Sequence, residues 1–89
     1  MNAERCYAEL LSCVKRLGIT VHYHGSGPSG LCVFKGERVF FIDTKQPLEA
    51  RIAVLVKELR KADLRGIFLV PGIRRLLESE YETDWDKGS

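Results

Sequence analysis

Two histidines and a cysteine are the residues of this chain best equipped for chemistry. His22 and His24 lie two positions apart. On a strand that spacing sends both imidazoles to the same side. Cys32 joins them if the following strand brings it alongside. Two imidazoles and a thiolate are a workable zinc set, and a fourth ligand would come from Cys6 or Cys13. The spacing matches no recognised zinc motif. The plainer reading is two histidines on a strand face and three thiols that pack as small apolar side chains. A Cys32 nucleophile with a histidine base is the other chemistry open to this set, although nothing marks a third orienting group or an oxyanion hole. The segment Gly25-Ser26-Gly27-Pro28-Ser29-Gly30 lacks the phosphate-loop pattern. It joins two strands, so no helix N-terminus aims at a phosphate there, and a flexible connection is expected.

A second group is Lys57-Glu58-Leu59-Arg60-Lys61, near the end of a long amphipathic stretch that follows two apolar strands. Residues 17–62, with this strand-strand-helix order, resemble the ImmA/IrrE-type zinc metallopeptidases. The resemblance implies a small sheet followed by a helix bearing HExxH. In that motif two histidines at i and i+4 hold zinc and the glutamate between them activates the bound water. Glu58 stands at the position of the general base, but Lys57 and Lys61 occupy both ligand positions. A protonated ammonium has no lone pair to offer a metal. The resemblance therefore implies a degenerate relative with no metal, no cofactor and no catalytic residue. Without the resemblance, the stretch is a solvated helix face of mixed charge.

Composition narrows the classes. The chain has 89 residues, a net charge of +2 and 29% charged residues of both signs. One domain is expected over residues 1–80, with 81–89 as a frayed polar tail. So weak a positive charge gives nucleic-acid binding little support. The basic residues Lys57, Arg60, Lys61, Arg65, Arg74 and Arg75 would supply a nucleic-acid surface, but Glu58, Asp63 and Glu78 are interleaved with them. No apolar run reaches the length of a membrane span. Three cysteines and an N-terminus unlike a signal peptide favour free thiols and a cytoplasmic location.

The elements that must position these residues follow from periodicity. Cys6, Leu10, Cys13, Val14 and Leu17 share one face of a helix over residues 3–17, which Gly18 ends. Residues 19–24 alternate as a strand, with Ile19, Val21 and Tyr23 on one side and Thr20, His22 and His24 on the other. Residues 31–35 and 38–43 form a hairpin about a Gly36-Glu37 type II′ turn, which sets Phe34 opposite Val39 and Cys32 opposite Phe41. One hairpin face then carries Leu31, Val33, Phe40 and Ile42. The other carries Cys32, Phe34, Val39 and Phe41. Both are apolar, so something must cover the second one. A helix over about 47–62, opened by Pro47, buries Leu48, Ile52, Leu55, Leu59 and Ala62. Residues 67–70 form a fourth strand or an extended segment, and Pro71 opens a short last helix with Ile73, Leu76 and Leu77.

The fold expected is α+β, in the order α-β-β-β-α-(β)-α, with an antiparallel three-stranded meander packed on two main helices. The function expected first is a non-enzymatic intracellular interaction domain. It forms a homodimer through Cys32, Phe34, Val39 and Phe41, or else engages another protein. An enzyme using His22, His24, Cys32 and Glu58 is the second expectation. A nucleic-acid-binding module is the third.

Overall fold

The computed structural model describes residues 2–27 and 29–78. Within them, α1 (Ala3–Arg16), β1 (Thr20–His24), β2 (Gly30–Phe34), β3 (Glu37–Asp43), α2 (Leu48–Leu59) and α3 (Pro71–Glu78) form an α+β fold. The expected tail over residues 81–89 lies outside the described residues. The Asn2 side chain caps α1 by accepting the Arg5 N–H at 2.8 Å, which satisfies one of the amides that a helix start leaves unpaired. At the other end Gly18 turns the chain with φ +81°, a conformation glycine adopts cheaply.

The sheet differs from the expected meander. Its order is β1-β3-β2, with β3 parallel to β1 and antiparallel to β2. The physical reason lies in β3 itself. Val39, Phe40, Phe41 and Ile42 are apolar on both faces, and the central position gives such a strand neighbours on both edges. The chain leaves β1 and crosses the end of β3 before entering β2. Hydrogen bonds fasten that crossing. The Asp43 N–H donates to Ser29 Oγ at 3.0 Å, and Ser29 Oγ donates to Gln46 Oε1 at 3.2 Å. The Thr44 N–H and hydroxyl both donate to the His24 carbonyl, at 2.8 and 3.0 Å.

The hairpin turn also differs. Phe34 pairs with Glu37, Val33 with Arg38, Cys32 with Val39 and Leu31 with Phe40. The two turn residues are Lys35 and Gly36, at φ +52° and +80°. Positive φ at both central positions is the type I′ turn, whose twist suits a two-residue hairpin. The pairing is displaced by two residues from the register expected. A displacement of two preserves the alternation of side chains, so each apolar set stays on its expected face.

Helices α1 and α2 pack against each other and on the Phe40 face; α3 packs against both helices. Leu10, Cys13 and Val14 from α1 meet Leu55, Val56 and Leu59 from α2, Ile73 and Leu77 from α3, and Phe40 and Ile42 from β3. Phe40 is 1% exposed. α2 begins after Pro47 and its regular part ends at Leu59, short of the expected residue 62; Lys61 and Ala62 continue in i→i−3 bonds that tighten the last turn. Leu48, Ile52 and Ala62 are half-buried, at the edges of the expected stripe. Residues 67–70 pair with no strand among the described residues. They run extended, with Leu69 buried, and the Arg16 guanidinium donates to the Phe68 carbonyl at 3.1 Å.

Candidate functional site

Among the described residues the helices pack on one face of the sheet and leave the other without a helix. By strand register, Thr20, His22 and His24 of β1 share that second face with Cys32 and Phe34 of β2 and with Val39 and Phe41 of β3. His22 and His24 flank the Phe41 ring, with ring centroids 5.8 and 6.0 Å away. The two histidines therefore do come together, as their spacing requires.

Cys32 does not join them. β3 stands between β1 and β2, so His22 and Cys32 are two strand spacings apart, roughly 9.6 Å. Zinc ligands must all lie within about 2.3 Å of the ion, so the strand order takes Cys32 out of the set. Cys6 and Cys13 are on α1, in the layer behind the opposite face. Burial pushes both of those thiols up from their usual pKa, as apolar surroundings disfavour the thiolate. No group of three potential ligands from His, Cys, Asp and Glu occurs among the described residues. The same separation removes a Cys32–histidine catalytic pair.

The Lys57–Lys61 stretch is a charged surface. Lys57 and Lys61 are exposed, and the Lys61 ammonium lies 3.6 Å from the Glu58 carboxylate. Of the other basic residues, Arg60, Arg65 and Arg74 line one groove with Leu59, Leu64, Ile67, Leu69 and Leu77, and Glu78 sits at its side. Arg65 grips Asp63 through two bonds of 2.9 and 2.8 Å, which holds that carboxyl below its ordinary pKa. Part of the basic charge is thus matched locally.

Of the exposed large apolar residues, Leu31, Val33 and Phe34 adjoin one another on β2, while Tyr23 on β1 and Phe68 stand apart. β2 lies at one edge of the sheet, and Leu31, Cys32, Val33 and Phe34 are all exposed. Val33 is 73% exposed and Phe34 57%. Of the four residues expected to form an interface, Val39 is only 4% exposed and Phe41 is half-buried. They are the middle of the sheet, screened by the strands on either side. The sequence identified the two apolar faces but did not show that the exposed part would be the edge. The absence of charge from β2 was the available signal. No family model, curated protein or solved structure matches the chain.

Proposed function

We propose that this chain is a small non-enzymatic interaction domain that self-associates through the apolar surface of its sheet. The observation that carries the reading is β2, where Cys32 and Phe34 on one face and Leu31 and Val33 on the other are exposed together. Contiguous exposed apolar surface marks an interaction site or an aggregation hazard. A two-fold dimer is the simplest closed assembly that buries such a surface against itself. In this reading the Lys57–Lys61 helix is a degenerate counterpart of a metallopeptidase helix and serves only to pack Leu55 and Leu59 beneath the sheet.

Solution mass over a concentration series tests the proposal. The expected result is a homodimer at micromolar concentration and a monomer for Phe34→Lys. A wild-type protein that stays monomeric at every concentration would overturn it. Stoichiometric zinc lost in Glu58→Gln would overturn the account of the helix.

A further inference from the structure

We infer that β2 is a strand-pairing edge, and that its occupant is the β2 of a second copy of this chain, antiparallel about a two-fold axis through Cys32. The two sheets then join into one of six strands. The inference rests on the self-association reading and adds the geometry of the pair.

Backbone alternation supplies the first argument. The β2–β3 ladder closes at Phe34–Glu37 on the two-residue Lys35-Gly36 turn, and the i→i+3 hydrogen bond usual in a tight hairpin turn makes Phe34 and Glu37 a hydrogen-bonded pair. Such pairs recur at every second residue of an antiparallel ladder. Cys32–Val39 and Gly30–Phe41 are then the next ones. Leu31 and Val33 must turn their N–H and C=O groups away from β3, toward the outer edge. No described strand lies there. A two-fold through Cys32 sets Leu31 of one copy opposite Val33 of the other, and each such pair exchanges both backbone hydrogen bonds.

The second argument is the side chains. Natural edge strands are protected by lysine, proline, bulges or inward charges. β2 reads Gly-Leu-Cys-Val-Phe and has none of these. Being apolar at four successive positions, it needs a partner strand that is also apolar on both faces, and β2 is itself such a strand. The other edge, β1, carries Thr20, His22 and His24 on its open side.

Area is the third argument. Three strands of about five residues outline roughly 250 Å² on one face. A stable dimer buries about 800 Å² per partner, more than the face or the β2 edge supplies by itself. Edge pairing would also bring the side of α2, which packs against β2, into the contact.

Two substitutions separate the geometries. Val33 lies on the helix-side face at the edge and Phe41 lies mid-face on the other side. Edge pairing predicts that Val33→Lys abolishes the dimer at concentrations where wild type is dimeric, while Phe41→Lys keeps it. It also places the two Cys32 residues as a non-hydrogen-bonded pair, Cα atoms about 4.5 Å apart, within disulfide reach. A mild thiol oxidant should therefore link the dimer covalently, and Cys32→Ser should abolish the link. A dimer lost in Phe41→Lys but kept in Val33→Lys would overturn edge pairing and leave self-association standing. A monomeric wild type would remove both.

Discussion

β2 and β3 are the two arms of one hairpin, and both are rich in apolar residues, yet their surroundings are opposite. Phe40 of β3 is 1% exposed, whereas Val33 of β2 is 73% exposed. The difference is position. β3 has a strand on each side and helices above it. β2 has a strand on one side, and α2 reaches it only in part. Apolar composition sets what a strand can bury, and its place in the sheet sets how much of that is buried within one copy of the chain.

The sharpest way to break this comparison is to truncate both arms. Phe40→Ala should destabilise the protein by about 3–5 kcal/mol, because it removes a fully buried ring and leaves a cavity. Leu55→Ala and Leu59→Ala, in the helix layer above it, should each cost about 2–5 kcal/mol. In a domain whose whole stability is of order 5–15 kcal/mol those losses are large. Val33→Ala, measured in dilute protein, should fall within about 0.5 kcal/mol of wild type. Chemical denaturation reads all four. Equal effects at Phe40 and Val33 would mean that β2 is covered within the single chain.

The thiols sharpen the comparison from another side. Cys13 is buried behind the covered face, Cys6 is half-buried beside it, and Cys32 lies exposed on β2. Burial raises the pKa of Cys6 and Cys13, and the thiolate is the reactive form. A thiol reagent applied to native protein should therefore modify Cys32 first and Cys13 last. Denaturant should bring the three rates together. Rapid modification of Cys13 in native protein would show that α1 turns a different face to the core.

Much of this was legible because periodicity survives small errors. The α1 stripe and the division of the hairpin into two apolar faces depend only on spacing of 3.6 or 2, the Gly18 stop depends only on one residue's backbone freedom, and all are present in the structure. Strand order is different. It depends on which strand gains most from two neighbours, a competition that no local window reports. Assuming that sequential strands pair sent Cys32 to the side of His22 and His24, and the insertion of β3 between them dissolved that candidate site. The edge at β2 was missed for the same reason: in a meander β2 is the central strand. Residues 67–70 left two readings open, a fourth strand or an extended segment, and the structure takes the second: an apolar run of that length needs no partner strand to bury a side chain such as Leu69.

The turn that joins the two arms supplies the smallest test. Lys35 sits at φ +52°, a region that costs an ordinary residue about 1–2 kcal/mol and a β-branched one more. The adjacent Phe34 ring partly offsets this, with the Lys35 ammonium 5.4 Å from its centroid. Lys35→Val removes that contact and adds a branched side chain where the backbone is left-handed, so it should destabilise by about 1 kcal/mol. With the turn at Gly36-Glu37 instead, Lys35 would be extended, and valine there would favour the strand. The sign of the change in melting temperature therefore reports the register. A stabilised Lys35→Val would displace the pairing by two residues. Cys32 and Phe34 would then turn their backbone groups to the edge in place of Leu31 and Val33, and Lys35 would extend β2 and bring a charge into its C-terminal end.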